Sequence, residues 1–131
     1  MDKLLTPFQE RTIGKHRTSV RLHEYSKEVI TRYCSTDIVS FDDKWITLDH
    51  GGYMTATTKR RMNQVAEAFD LGFKVYQKDY EWFVTIITYK RIYDAFGSLD
   101  MTKSPVKVDN TFRISNVGHI TFSRSAPIYI L

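Results

Sequence analysis

From Ser19 onward, apolar and polar positions alternate with period two: Val20 and Leu22, then Val29-Ile30-Thr31-Arg32-Tyr33-Cys34, then Thr36-Asp37-Ile38-Val39-Ser40-Phe41. β-Branched and aromatic residues dominate these runs, which predicts strands. Asp42-Asp43 signals a turn, and Lys44-Trp45-Ile46-Thr47-Leu48 returns with Trp45 and Thr47 on one face and Ile46 and Leu48 on the other. Residues 36–48 are therefore expected to form a hairpin. After Gly51-Gly52 the period lengthens, and Met62, Val65, Ala66 and Phe69 make one apolar stripe. That spacing predicts a helix over residues 57–70. Thr55 or Thr57 is placed to cap its start, and Leu71-Gly72 to end it, with the glycine taking the left-handed conformation.

A second hairpin is expected over residues 73–87, turning at Lys78-Asp79. In the simplest register Phe73, Val75, Tyr80, Trp82, Val84 and Ile86 share one face, and Lys74, Tyr76, Glu81, Phe83 and Ile87 the other. The returning strand is apolar on both sides over residues 83–87, as a central strand would be. Residues 88–104 read as irregular or weakly helical, and short strands near residues 106–108, 111–114 and 119–122 follow. Residues 1–18 read as an arm or short helix that docks on the rest, and the tail at 123–131 is apolar enough to complete the core or meet a second subunit. The pattern as a whole specifies an α+β fold in a single domain spanning 1–131. An antiparallel sheet of two or more hairpins is covered by one principal helix.

Composition narrows the chemistry. With 42% hydrophobic residues and 2 Trp, 8 Tyr and 8 Phe, the 131-residue chain can bury a core. A single cysteine, Cys34, excludes an internal disulfide and is expected to be a small buried hydrophobe within a strand. His16, His23, His50 and His119 show no zinc-type spacing, so neither a metal nor a cofactor is expected. The acidic pairs Asp42-Asp43 and Asp79/Glu81 fall at turns, where Asp bonds its own backbone, which leaves a metal-dependent nuclease as a weaker reading. Gly51-Gly52 lacks the Gly-Lys-Ser/Thr ending of a phosphate loop. No apolar run reaches the roughly 20 residues that span a bilayer, and the polar N-terminal stretch is unlike a leader, so a cytoplasmic location without membrane contact is expected.

The formal net charge is +4, but its distribution matters more. Residues 1–35 hold seven cations and four anions, residues 36–50 hold four Asp against Lys44, and Lys59, Arg60 and Arg61 follow at the expected helix start. A helix amino end already bears positive potential, so cations there suggest a nearby anion. Thr55, Thr57 and Thr58 supply hydroxyls, and Arg60, Asn63 and Gln64, expected on the outward face, suit bidentate contacts with base edges. Lys74 and Lys78 extend the basic surface, with Tyr76 and Tyr80 available for stacking. These residues make nucleic acid, DNA or RNA, or another phosphate-bearing ligand the first expected partner. Against this, threonines cap helices and Arg and Lys favour them, so a solvated helix has the same sequence.

The run Thr55-Ala56-Thr57-Thr58-Lys59-Arg60-Arg61-Met62-Asn63-Gln64, with Leu71-Gly72-Phe73-Lys74-Val75-Tyr76-Gln77-Lys78 and Glu81-Trp82-Phe83-Val84, resembles a segment of small bacteriophage and prophage proteins. The resemblance covers residues 30–87 and brings no activity or catalytic residue with it. It implies a phage accessory protein acting inside an infected bacterium. Such a setting raises a rival reading, a non-enzymatic inhibitor that binds a host or defence protein through Tyr53, Tyr76, Tyr80 and Trp82. On either main reading the protein is not an enzyme, and a homo-oligomer is compatible with both.

Overall fold

The computed structural model describes residues 4–92, 96–98, 106–115, 119–124 and 128–130. Thr6 opens the first element by accepting from the Gln9 backbone N–H at 3.2 Å while the Gln9 side chain accepts from the Thr6 N–H at 3.0 Å. This reciprocal cap, with Pro7 at the first helical position, starts the short helix α1 (Pro7–Thr12). Ile13 then drops into the core, 3% exposed, and anchors the N-terminal segment.

Four strands follow, β1 (Thr18–Leu22), β2 (Val29–Tyr33), β3 (Thr36–Phe41) and β4 (Trp45–Asp49). With β8 (His119–Ser123) they form an antiparallel five-stranded sheet in the order β1-β2-β3-β4-β8. The alternation expected for the hairpin at 36–48 is observed: Ile46 and Leu48 are buried, while Trp45 is exposed. Asp42 closes that turn by accepting from the backbone N–H of Lys44 at 2.8 Å and of Trp45 at 2.7 Å. These two donors favour its ionised form and hold its carboxyl below the usual carboxylate range.

The principal helix, α2 (Ala56–Phe69), starts one residue before its expected position. Thr55 is the cap and accepts from the Thr58 N–H at 3.2 Å. At the other end the cap residue Asp70 takes the left-handed conformation, φ 53°, and Gly72, the residue expected to, also has positive φ, 73°. Leu71 must turn back into the core, where it is 1% exposed, and its N–H donates to the Ala66 carbonyl at 2.9 Å, so the reversal begins at Asp70, two residues before Gly72.

The second sheet has β5 (Phe73–Lys78), β6 (Glu81–Ile92) and β7 (Val106–Arg113) in antiparallel order, with β9 (Ile128–Ile130) parallel to the far end of β6. β6 is central, as its apolar character on both faces suggested. It runs on through Ile92, so residues 88–92 are strand where irregular chain was expected; the rest of that segment, apart from 96–98, lies outside the described residues. β7 is likewise one strand where two short ones were expected. Tyr80 is not on the buried face of the hairpin. Asp79 and Tyr80 both take positive φ, 52° and 65°, and form the turn itself, which leaves Tyr80 94% exposed.

One core joins both sheets to α2, drawing in Ile38, Val39, Ile46, Leu48, Met62, Val65, Val75, Trp82 and Val84. Cys34 lies outside it. It occupies the tight turn between β2 and β3 with φ 57° and is exposed, because a two-residue reversal from Tyr33 to Thr36 leaves no room for another strand position.

Candidate functional site

The three cations at the start of α2 are drawn to different places. Because the helix begins at Ala56, Lys59, Arg60 and Arg61 sit in its second turn, past the first-turn zone where the helix dipole acts most strongly. Lys59 donates to the Gln77 side-chain carbonyl at 3.0 Å and lies 5.3 Å from the centre of the Trp82 ring, a cation–π contact. Arg61 is 8% exposed and turned toward the N-terminal segment. Its Nε donates to the Thr18 hydroxyl at 3.0 Å and its guanidinium to the Gln64 side-chain carbonyl at 3.1 Å. Gln64 also accepts from the Gly14 N–H at 2.9 Å. A Cβ at Gly14 would lie 2.1 Å from the Arg61 guanidinium, so glycine at that position is what lets the arm close over the helix. Arg60 alone of the three is exposed.

The polar residues expected to face outward are also engaged. Asn63 donates to the Val75 carbonyl at 2.8 Å and accepts from the Val75 N–H at 2.7 Å, pairing with the open edge of β5 as a neighbouring strand would. Thr58 is buried, its hydroxyl 3.0 Å from that of Thr55. Thr57 is half-buried. Thr55, Thr58, Arg61, Asn63 and Gln64 thus form the helix cap, the arm's dock and the sheet's edge cover. Trp82, one of the expected interface anchors, is 1% exposed and is a core residue, because the register places it opposite Gln77 on the inward face. Tyr53 is 64% exposed beside the Gly51-Gly52 turn.

What the structure brings together instead is the outer face of β5, β6 and β7. Phe73, Val75, Trp82, Val84 and Ile86 point inward, so Lys74, Tyr76 and Lys78 on β5 and Glu81, Phe83 and Thr85 on β6 point out. Tyr76 and Phe83 are directly paired and stacked, ring centres 5.6 Å apart and planes 21° from parallel. Arg113 of β7 is the other neighbour of Phe83 and donates to Glu81 at 2.9 Å. Beside it, the Thr85 and Thr111 hydroxyls lie 2.8 Å apart. Among the described residues no ion pair engages Arg60, Lys74 or Lys78. A shallow groove between α2 and β5, lined by Asn63, Glu67, Asp70 and Lys74, carries carboxylates and bounds the basic surface on that side. Sequence reasoning placed Phe83 on this face but did not count it or Arg113 as functional; the signal was the alternation within residues 81–87.

Among the described residues no three His, Cys, Asp or Glu are grouped as metal ligands, and no helix is long and apolar enough to cross a membrane.

This α+β arrangement belongs to a phage protein. The pattern of the Kyanoviridae Gp96 protein family matches residues 5–113, and the chain is a member of that family. The match extends well beyond the 30–87 segment that carries the resemblance to phage proteins. No curated protein and no solved structure matches the chain.

Proposed function

We propose that this phage protein binds single-stranded nucleic acid across the outer face of β5, β6 and β7. One observation carries the reading: a stacked aromatic pair, Tyr76 on Phe83, lies on a solvent-facing sheet surface beside Lys74 and Lys78, which no ion pair engages among the described residues. Bases stack on such rings whatever their identity, and cations along the same face neutralise the backbone that connects them. Arg60, exposed on α2 next to the β5 edge that Asn63 covers, extends the track. The surface is a flat sheet face with one short stack, which suits unpaired strands better than a duplex groove. Fluorescence anisotropy with labelled oligonucleotides tests this. Single strands are expected to bind at least tenfold more tightly than the matching duplex, with affinity falling as salt rises. Equal binding of the two, or binding that ignores salt, overturns the reading.

A further inference from the structure

The two edges of the β5–β6–β7 sheet differ. Asn63 occupies the main chain of β5 at Val75, whereas β7 pairs with β6 on one side and with no other described strand. At 8 residues β7 is the longest edge strand among those described. It keeps register with β6 from Arg113 to Val106 without a bulge, it contains no proline, and Lys107, Asp109, Thr111 and Arg113 are all exposed. Of the devices that blunt an edge, only surface charges are present.

Those charges are complementary to their own copy. The Ile114 N–H donates to the Trp82 carbonyl at 2.8 Å, so in the alternation of an antiparallel ladder Asp109, Thr111 and Arg113 turn their N–H and C=O groups away from β6. They face the open side. A second β7 laid antiparallel about a two-fold axis at Thr111 sets Asp109 opposite Arg113 of the second copy, and Arg113 opposite its Asp109. Arg113 gives one nitrogen to Glu81 at 2.9 Å and has further donors, while Lys107 stands 3.9 Å from Asp109, beyond hydrogen-bond length. Both groups can therefore take the new partner. An axis at Asn110 sets Lys107 against Arg113, one at Asp109 sets that carboxylate against itself, and one at Phe112 carries Asp109 past the end of the facing strand. Charge thus selects one register. On the inner side Phe112 pairs with the core residue Val84 yet is 46% exposed, and in this register the Phe112 rings of the two copies lie diagonally across the axis, within aromatic reach.

We infer that β7 is a docking edge for a second copy of this chain, the two strands pairing antiparallel about Thr111 and joining two sheets into one. In-plane pairing keeps the outer faces of both copies on the same side, which extends the surface proposed above, but the pairing does not depend on that reading. Analytical ultracentrifugation of the intact chain across the micromolar range tests it, with a species of twice the 15.4 kDa chain mass expected. Asp109→Arg sets cation against cation at both charged pairs, and Arg113→Asp sets carboxylate against carboxylate, so each variant alone should raise the dimer dissociation constant about tenfold or more. Mixed together, the two variants regain opposite charges at both pairs. The mixed dimer is expected to return to near the parent affinity, which also shows that both variants fold. A parent chain that stays at 15.4 kDa throughout, variants that dimerise as the parent does, or a mixture no tighter than its components overturns the inference.

Discussion

Replacing Arg60, Lys74 and Lys78 together with Ala separates the cations that face solvent from the one that is structural. Each of the three is exposed and without an ion pair among the described residues. On a single strand each phosphate neutralised contributes about 0.7 to the slope of log affinity against log salt, so the triple variant should flatten that slope by about 2 units. Arg61→Ala should behave in the opposite way. It removes two hydrogen bonds, to Thr18 and Gln64, made by a charged side chain that is only 8% exposed. Such a loss costs about 2–4 kcal/mol, or a fall in Tm on the order of 10 °C for a domain of this size. The salt slope should stay as it is in the parent protein. Anisotropy titrations between about 50 and 200 mM salt, run beside thermal unfolding, read both quantities. A single Arg61→Ala variant that lowers the slope as much as Arg60→Ala while keeping the parent Tm would refute the assignment of Arg61 to structure and of the outer sheet face to binding.

Tyr76→Ala or Phe83→Ala should weaken single-strand binding by about 1–3 kcal/mol without changing the salt slope, since stacking and charge are separate contributions; a slope change in anisotropy titrations would contradict this. Thr31→Val should raise unfolding stability by about 1 kcal/mol in a urea titration, because the Thr31 hydroxyl is fully buried with no hydrogen-bond partner among the described residues and Val keeps its shape. Asp42 has its pKa lowered by the Lys44 and Trp45 N–H groups, so its contribution to the β3–β4 hairpin is present above the unfolded carboxylate value of about 3.9 and is lost as pH falls through the lower folded value. Asp42→Asn should therefore show a smaller loss of stability than the parent on going below that value, and parallel pH–stability curves would show the carboxylate to be irrelevant.

The elements most legible in the sequence are those whose periodicity is uninterrupted. The stripe of Met62, Val65, Ala66 and Phe69 located α2 within one residue at either end, and the alternation around Trp82 and Val84 located β5 with β6 and the central place of β6. Turns without a sequence marker were less legible. Cys34 and Tyr80 take left-handed conformations with no glycine or asparagine to announce them, and each was placed on a strand as a result. The candidate site was legible only in part, because periodicity tells which face of a helix is polar but not what meets it. Arg61, Asn63 and Gln64 look alike from the stripe, yet the N-terminal arm covers the first and third and the edge of β5 engages the second. Gly14, fifty residues from Gln64 in the chain, carries no local sign that a guanidinium passes over it.

Asn63 has one consequence for how this protein behaves in crowded surroundings. Its carboxamide occupies both main-chain groups of Val75, which would otherwise offer a ready template for a foreign strand to zip onto. A single side chain on a helix thereby withholds the Val75 stretch of that edge from a second copy, and an amino-acid change that shortened it is expected to favour self-templated clumping.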